Sequence, residues 1–135
     1  MNVQIIGNLH PQPGSVGFDV CTSIDCSIPA RSRRTIPTGL YLAMPSNLWA
    51  GVYSRSGLAD RYGLTILNAP GVIDPDYRGE IKLILFNSGE DSVRFPAGSR
   101  LAQLIFHPIT PVDLQTVAEL PPTARGSNGL GSTGV

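Results

Sequence analysis

The sequence has little of the chemistry that metal centres and nucleophilic enzymes need, since it contains only two cysteines and two histidines. Cys21 and Cys26 lie five positions apart with no second pair of cysteines or histidines to match them, so a zinc site would lack ligands. Their spacing allows a disulfide, but we expect free, partly buried thiols in an intracellular protein. His10 and His107 are isolated, which favours structural roles over a Ser–His or Cys–His nucleophile system.

The sequence also has no excess of charge of either sign. Ten Lys and Arg balance ten Asp and Glu, and charged residues make up only 15% of the sequence. A neutral protein does not attract polymeric nucleic acid or a membrane surface, so any phosphate recognition must come from a few placed cations and amides. No apolar run approaches the ~18 residues of a transmembrane helix, and the N-terminus lacks the features of a signal peptide. We therefore expect an intracellular protein, cytoplasmic or (in a eukaryote or virus) nuclear, with no nucleic-acid polymer and no membrane as partner.

Glycine and proline are abundant, with 15 and 12 residues that together form a fifth of the sequence. With 41% apolar residues, this composition predicts a turn-rich all-β domain and not a disordered protein. Only residues 56–62 suit a helix, and prolines such as Pro37 are expected between strands. Turns every eight to twelve residues or so favour a sandwich or barrel. The predicted strands are 3–6, 17–20, 26–28, 33–36, 39–44, 49–54, 64–67, 81–87, 93–95, 101–107 and 112–118.

The end of the sequence differs from the rest. Residues 1–120 are expected to form the β core, and residues 121–135 a Pro-Pro-Thr-Ala linker followed by a glycine-rich arm of the same domain. The arm has four glycines, an Arg and three hydroxyl residues, but almost nothing that could build a core. A charged fork, hydroxyl donors and closely approaching backbone suit a phosphate. We expect a mobile arm that orders on an anionic ligand; the alternative is a flexible, solvated end.

Four further segments place functional residue types in predicted turns or strands. Asp19 opens a strand, and Arg55 to Gly57 precede the short helix, whose free N–H groups favour an anion. Residues 68–82 crowd titratable groups and glycines into a hairpin, and Gln103 interrupts an apolar strand. Three of these segments have an ordinary alternative when taken alone: a turn or cap aspartate, a serine that caps the helix, or a buried amide with a satisfied partner. The hairpin carries more titratable groups than a plain turn needs.

Together, the five segments resemble in order and spacing the five motifs of the trimeric deoxyuridine triphosphate nucleotidohydrolases (dUTPases). The resemblance covers residues 17–134. It rests mainly on Arg-Ser-Gly-Leu-Ala (55–59), Val-Ile-Asp-Pro-Asp-Tyr-Arg-Gly-Glu-Ile (72–81) and Arg-Gly-Ser-Asn-Gly-Leu-Gly-Ser-Thr-Gly (125–134). It implies a homotrimer of jelly-roll-like distorted β-barrels. Each active site would be shared by three subunits: one gives residues 68–82, another gives the first, second and fourth segments, and a third gives the arm.

The resemblance also implies an activity. The family hydrolyses dUTP to dUMP and pyrophosphate with Mg²⁺ as cofactor, by attack of water on the α-phosphorus. This reaction limits the incorporation of uracil into DNA and supplies dUMP for thymidylate synthesis. By similarity, Asp74 is the general base that activates the water, and Asp19 holds the metal through its coordinated waters, which suits an ion that loses water reluctantly.

The remaining site residues are also assigned by resemblance. Tyr77 would lie against the deoxyribose and exclude a 2′-hydroxyl, while Asn68 and the backbone of Gly71, Val72 and Ile73 would read the uracil edge. Lys82 is a further substrate contact in some members of the family. The phosphate contacts would come from Arg55, Ser56, Gly57 and Gln103, and from arm residues Arg125, Ser132 and Thr133, which close over the γ-phosphate as a lid.

Two positions depart from the family pattern. Leu130 stands where a Phe usually stacks on the uracil, and Ser99 stands where an Asp is usual. Two other functions are open from the sequence. A dCTP deaminase, alone or combined with dUTPase activity, needs a glutamate at the nucleobase, and Glu80 is the only acid near enough but fits the dUTPase pattern. A binding or regulatory protein of this fold would use the nucleotide to order the arm.

Overall fold

The computed structural model describes residues 1–134; residue 135, the last of the predicted arm, lies outside the described residues. The protein is mostly β with one short helix, as predicted. The elements are β1 (Gln4–Ile6), β2 (His10–Pro11), β3 (Phe18–Cys21), β4 (Cys26–Ile28), β5 (Arg33–Ala43), β6 (Leu48–Tyr53), α1 (Ser56–Tyr62), β7 (Leu64–Ile66), β8 (Gly71–Ile73), β9 (Ile81–Asn87), β10 (Val93–Phe95) and β11 (Arg100–Pro108).

Two antiparallel sheets form the body. One has the order β1-β5-β9-β7 and the other β2-β3-β11-β6-β8, and β10 and β4 make a separate ribbon. In β9 every second residue is buried, the period of a strand with one face toward a core. Val20 and Leu104 from one sheet join Leu40, Leu83 and Leu85 from the other in a single apolar cluster, so the core lies between the sheets.

The strand prediction was wrong at one place in the first sheet. Residues 33–36 and 39–44 were predicted as two strands with Pro37 between them, but β5 is continuous and Pro37 lies inside it. The pairing with β9 shifts between Pro37 and Leu40, which marks a bulge. A bulge tolerates a proline that cannot donate to the ladder. The backbone N–H of Gly39 is satisfied instead by Glu80, whose Oε2 accepts it at 2.9 Å.

The predicted strand at 112–118 is wrong. The last hydrogen bond that ties the C-terminal segment to the body runs from the Ile109 N–H to the Asn47 carbonyl, at 2.9 Å. Residues 110–134 are exposed and contain no strand or helix. In the described part of this segment, hydrogen bonds join only residues three positions apart, such as Arg125 Nε to the Asn128 carbonyl oxygen at 2.8 Å. The division between core and arm at residue 120 stays a prediction.

The helix has the predicted limits and ends at Gly63, which has a φ of 67° in the left-handed region that favours glycine. Arg55 occupies the N-cap position, and no side-chain hydrogen bond caps the helix. The Ser54 hydroxyl instead accepts the N–H of Ile66 at 2.9 Å. The alternative that a serine serves only as the helix cap is therefore wrong. Within residues 1–134, no helix is long and apolar enough to cross a membrane.

Candidate active site

A cavity of about 490 Å³ lies where β3 and β11 meet the start of α1, with Asp19 in its wall. The Asp19 side chain is only 9% exposed, yet three donors satisfy its carboxylate. Arg55 Nε lies 3.2 Å from Oδ1, and Arg100 Nη1 lies 3.1 Å from Oδ2. Gln12 Nε2 donates to Oδ2 at 3.3 Å. Taking a carboxylate this far out of water is costly unless it is paired and hydrogen-bonded, so these three donors hold the Asp19 side chain in place.

Central strands of the second sheet fix this cluster. Asp19 pairs with His10 in β2 on one side and with Gln103 in β11 on the other. Gln103 Nε2 donates to the Ser54 carbonyl at 2.9 Å, so its amide is satisfied and also lines the cavity. A Cβ at Gly17 would lie 2.5 Å from Gln103 Oε1, so glycine at position 17 lets the amide occupy this place.

The cavity carries an excess of positive charge in a protein that is neutral overall. Arg55, Arg61 and Arg100 line it together with a single carboxylate, that of Asp19. Arg55 also donates from Nη1 to the Arg100 carbonyl at 3.0 Å, which ties the helix start to β11. The predicted phosphate residues Ser56 and Gly57 lie in the same wall. This arrangement suits a polyanion, because paired guanidinium groups bind phosphate oxygens with charge-assisted hydrogen bonds.

Five cavity residues were not among the predicted site residues: Gln12, Ser15, Leu58, Arg61 and Arg100. Arg100 could have been found, since it is a cation within residues 98–105, the segment that contains Gln103, and follows the turn that Ser99 closes. Gln12 and Ser15 precede the residues that resemble the family, and nothing in their spacing marks them.

Ser99 helps to close the turn that leads into Arg100. Its hydroxyl donates to the Pro96 carbonyl at 2.6 Å, and its N–H donates to the same carbonyl at 3.1 Å. The neighbouring Gly98 N–H donates to the Thr22 carbonyl at 2.8 Å. The turn that leads into Arg100 is therefore held by hydrogen bonds although Ser99 stands in place of the usual Asp.

The half-buried cysteines do not supply a nucleophile. Both are free thiols. Burial raises the pKa of the Cys21 thiol above its ordinary value, although Arg100 opposes the shift, and burial likewise raises the pKa of Cys26. The reactive thiolate is thus disfavoured at neutral pH. His107 stacks on Trp49 with ring centroids 4.4 Å apart and shares a 2.9 Å hydrogen bond with the Tyr53 hydroxyl, a structural role as predicted.

A second cavity, of about 430 Å³, lies between the hairpin after β8 and strands β5 and β9. It brings together five predicted site residues: Val72, Ile73, Asp74, Tyr77 and Lys82. Asp74 is exposed, and its carboxylate makes no hydrogen bond or ion pair to any residue within 1–134. An unpaired carboxylate at a cavity wall is free to accept a proton from water.

Tyr77 is held in place by its own hairpin. Its hydroxyl donates to the Glu80 carbonyl at 3.0 Å, and the Glu80 carboxylate accepts the Gly39 N–H in β5. A Cβ at Gly79 would lie 2.6 Å from Tyr77 Cζ, far inside contact distance. Glycine at position 79 is therefore required for the observed position of the tyrosine ring, and Glu80 anchors the hairpin to the first sheet.

Asn68 and Gly71 lie beside each other but outside both cavities. A Cβ built on the buried Gly71 would lie 3.4 Å from Asn68 Nδ2, and Gly71 pairs with Val52 of β6. Strand β8 ends its sheet, so one edge of residues 71–73 has no strand neighbour. An edge strand presents a row of backbone donors and acceptors that a planar ligand can use.

The structure does not bring all the predicted site residues together in one place. The two cavities share no lining residue. The arm residues Arg125, Leu130, Ser132 and Thr133 are exposed and border neither cavity. The structure therefore has a cationic cavity, a separate cavity with an unpaired carboxylate beside a tyrosine, and a glycine-rich arm that borders neither cavity.

Comparison with known proteins gives the family. A family model described as dUTPase matches residues 5–134. The protein is 45% identical to the deoxyuridine 5'-triphosphate nucleotidohydrolase of Wolinella succinogenes over 99% of its own length and 95% of that enzyme's. It is 44% identical to the enzyme of the same name from Streptomyces avermitilis over 93% of its own length and 72% of that enzyme's. The protein belongs to the dUTPase family, which confirms the family and the enzyme class predicted from the five segments.

A solved structure agrees in fold. A mutant of the Staphylococcus bacteriophage 80alpha dUTPase, solved with dUpNHpp, matches with a TM-score of 0.89 over 99% of both proteins at 21% identity. At this identity the likeness concerns the fold alone.

Proposed function

We propose that the protein hydrolyses dUTP to dUMP and pyrophosphate by attack of water on the α-phosphorus, limiting uracil in DNA and supplying dUMP for thymidylate synthesis. The observation that carries the proposal is the hairpin of the second cavity, where an unpaired Asp74 carboxylate stands beside a fixed Tyr77. Relatives 44–45% identical to the protein are named deoxyuridine 5'-triphosphate nucleotidohydrolase. The same proposal places the protein inside the cell, where its two free thiols would remain reduced.

In this mechanism Asp74 accepts the proton of the attacking water. A positioned general base contributes about 10²–10⁴-fold to a rate. The guanidinium groups of Arg55 and Arg100 lie within hydrogen-bonding distance of Asp19 and border open space in the first cavity. Together with Arg125 from the arm, they would stabilise the charge on the triphosphate as the bond to the α-phosphorus breaks.

Selectivity would come from the hairpin. The edge of β8 offers backbone groups to the uracil, with Asn68 beside them. Cytosine carries an amino donor where uracil carries a carbonyl acceptor, so a buried N–H facing it would be unsatisfied at a cost of ~1–3 kcal/mol. Val72 and Ile73 would crowd the thymine methyl group, and the ring of Tyr77 would leave no room for a 2′-hydroxyl.

The donor set fits Mg²⁺ as a companion of the substrate. Within residues 1–134, no group of three or more His, Cys, Asp or Glu side chains could hold a metal ion. Mg²⁺ keeps several waters and binds through one or two carboxylates plus substrate phosphates, which matches the single buried carboxylate of Asp19 in a phosphate-binding cavity. The ion would supply charge neutralisation on the triphosphate. Gln12, Arg55 and Arg100 would hold Asp19 in position to bind its waters.

We also propose that the active unit is a homotrimer of jelly-roll barrels with shared sites. Support comes from the separation of the two cavities and from the arm, which makes no described hydrogen bond to its own body beyond Ile109. Ile5 and Ile6 on β1, 46% and 70% exposed, provide apolar surface that an assembly would bury. Residues 121–135 would then act as a mobile arm that closes a neighbour's site.

Gly79→Ala should weaken the exclusion of the 2′-hydroxyl by Tyr77. The new methyl group displaces the Tyr77 ring, and a displacement of about 1 Å in a catalytic site can cost roughly 10²-fold in rate. We expect kcat/KM for dUTP to fall by up to that factor and the preference for dUTP over UTP to narrow, measured with both substrates in parallel. In a Tyr77→Ala background the same change should have no further effect on the preference, as a double-mutant cycle requires. An undiminished preference in Gly79→Ala would contradict this role.

Leu130→Phe should tighten dUTP binding. Stacking on a base is worth ~1–3 kcal/mol, and leucine recovers only the apolar part, so we expect a gain of about 1 kcal/mol, a several-fold lower Kd. Leu130 is fully exposed in the free protein, so the exchange breaks no packing. Titration with a non-hydrolysable dUTP analogue measures the effect, with Leu130→Ala expected to weaken binding. Equal or weaker binding by the Phe variant would show that the arm closes without stacking.

Product analysis tests the function directly. Purified protein with Mg²⁺ receives dUTP, dCTP, dTTP or UTP, and the products are separated. Release of dUMP and pyrophosphate from dUTP alone supports the reaction, the selectivity for uracil and the exclusion of ribonucleotides together. Ammonia released from dCTP would instead indicate a deaminase. No turnover in a sample shown to be trimeric would overturn the enzyme mechanism and favour a nucleotide-switched binding protein.

A further inference from the structure

The protein has six asparagines, and only one of them, Asn128, is followed by glycine. The other five precede Val, Leu, Leu, Ala and Ser. An asparagine side chain can be attacked by the backbone nitrogen of the next residue, which closes a five-membered ring. Glycine is the residue that hinders this attack least, because it carries no Cβ and rotates most freely. The sequence therefore singles out the Asn128–Gly129 bond, in the middle of the glycine-rich arm.

The structure leaves this bond open to the reaction. Asn128 is exposed, and within residues 1–134 its side-chain amide makes no hydrogen bond. The N–H of Gly129, which would attack, likewise donates no hydrogen bond there. A Cβ built on Gly129 would find only the Ser127 carbonyl oxygen, at 3.9 Å. Neither group is restrained, so the attacking nitrogen and the Asn128 Cγ can approach each other.

Asn87, which precedes Ser88, provides the contrast within the same protein. It is fully buried, and its Nδ2 donates to the Ile28 and Asp91 carbonyls at 3.0 and 2.8 Å. Its Oδ1 accepts the Gly89 N–H at 2.9 Å. Ring closure at this residue would break three hydrogen bonds inside the fold, so Asn87 should remain an amide while the protein stays native.

We propose that Asn128–Gly129 is a site of spontaneous deamidation that weakens the hold of the arm on the triphosphate as the protein ages. The Gly129 nitrogen forms a bond to Cγ of Asn128, the bond between Cγ and Nδ2 breaks, and ammonia leaves with the proton lost from the Gly129 nitrogen. Water then opens the cyclic imide at either carbonyl. The product is an aspartyl or isoaspartyl residue at position 128, and water is the only co-reactant.

The product places a carboxylate beside Arg125. The Arg125 Nε already donates to the Asn128 carbonyl at 2.8 Å, so the two residues are neighbours within one turn of the arm. A carboxylate at this position pairs with the guanidinium and competes with phosphate for it. The isoaspartyl form also adds a methylene to the backbone. This consequence rests on the proposed function, in which Arg125 closes over the γ-phosphate; the chemical step itself does not.

The chemical step is tested by peptide mass spectrometry on the full-length protein, aged in mildly alkaline buffer under native conditions. We expect the mass change of an amide converted to an acid at Asn128, with Asn87 unchanged. Two matched variants should resist: Gly129→Ala, whose added methyl group fits the free space, and Asn128→Gln, which would have to close a larger ring. No conversion at Asn128, equal conversion at Asn87, or equal conversion in the Gly129→Ala variant would overturn the assignment.

The functional consequence is tested by steady-state kinetics on the same samples. Fresh Asn128→Asp protein should show a KM for dUTP about tenfold above that of the fresh native protein, as expected for the loss of one charge-assisted contact. Aged native protein should move toward that KM with kcat nearly unchanged, while aged Gly129→Ala protein keeps its starting value. Conversion with an unchanged KM would overturn the effect on binding. A fresh native protein that does not hydrolyse dUTP would instead refute the proposed function, and mass spectrometry would still decide the modification.

Discussion

Asp74→Asn will lower kcat for dUTP hydrolysis by about 10²–10⁴-fold, the contribution of a positioned general base. An amide of the same size cannot accept the proton of the attacking water. In the structure the Asp74 carboxylate is exposed and unpaired among the described residues, so the exchange breaks no ion pair and removes no buried group. Binding of dUTP should therefore change by no more than a few-fold, and the free energy of unfolding by about 0.5 kcal/mol at most. Steady-state kinetics, a binding titration and thermal unfolding measure the three quantities.

Asp76→Asn is the matched control for this prediction. Asp76 lies two residues further along the same hairpin and is also exposed, but it does not line the second cavity. The exchange changes the charge of the hairpin by the same amount, so an electrostatic effect on the negatively charged substrate would appear in both variants. We expect full activity from Asp76→Asn. Equal losses in the two variants, or Asp74→Asn retaining more than about a tenth of kcat, would remove Asp74 from the role of base.

The sequence could predict those parts of the site whose residues lie close together in one short segment. The helix at Ser56–Tyr62 and the hairpin that carries Asp74 and Tyr77 are short segments whose residue types and spacing are specific. The all-β class followed from composition and turn spacing. The sequence also named Asp19 and Gln103, which pair directly across β3 and β11.

What the sequence could not predict depends on partners that are distant in sequence. Arg100 and Gln12 reach Asp19 only because β2 and β11 flank β3. Glu80 satisfies the Gly39 N–H across 41 positions, which lets β5 run through Pro37 as one strand. A hydrophobic pattern indicates that a segment fits a strand, but a strand also needs a neighbour to pair with.

The failed strand at 112–118 illustrates that requirement. Val112 and Leu114 alternate with Asp113 and Gln115 as in a strand, yet these two apolar residues are 73% and 95% exposed. No edge of the described sheets pairs with them. The same isolation extends to Arg125 and the rest of the arm, which pair with neither sheet in the described residues.

Two inactive variants should restore activity to each other if the site is shared as proposed. One is Asp74→Asn, which keeps its arm, and the other ends at residue 120 and keeps Asp74. The truncation removes residues that make no described hydrogen bond to the body, so the shortened protein should fold. For each variant alone, kcat/KM should fall by at least about 10²-fold, because Asp74→Asn lacks the base and the truncated protein lacks the lid. Unfolded together in equal amounts and refolded, they should form mixed trimers.

The size of the recovery decides how the site is built. If Asp74 and the arm come from different subunits, a site is complete when its Asp74 comes from a truncated subunit and its arm comes from an Asp74→Asn subunit. Random mixing gives this arrangement in about one quarter of sites, half times half, so activity should return to roughly that fraction of the native value. If base and arm belong to one subunit, no site is ever complete and nothing returns. Mixing Asp74→Asn with a truncated protein that also carries Asp74→Asn controls for nonspecific rescue, and native mass spectrometry confirms that mixed trimers have formed. Mixed trimers without activity would contradict the shared site while leaving the reaction itself intact, because Asp74 would still act on substrate closed in by its own arm.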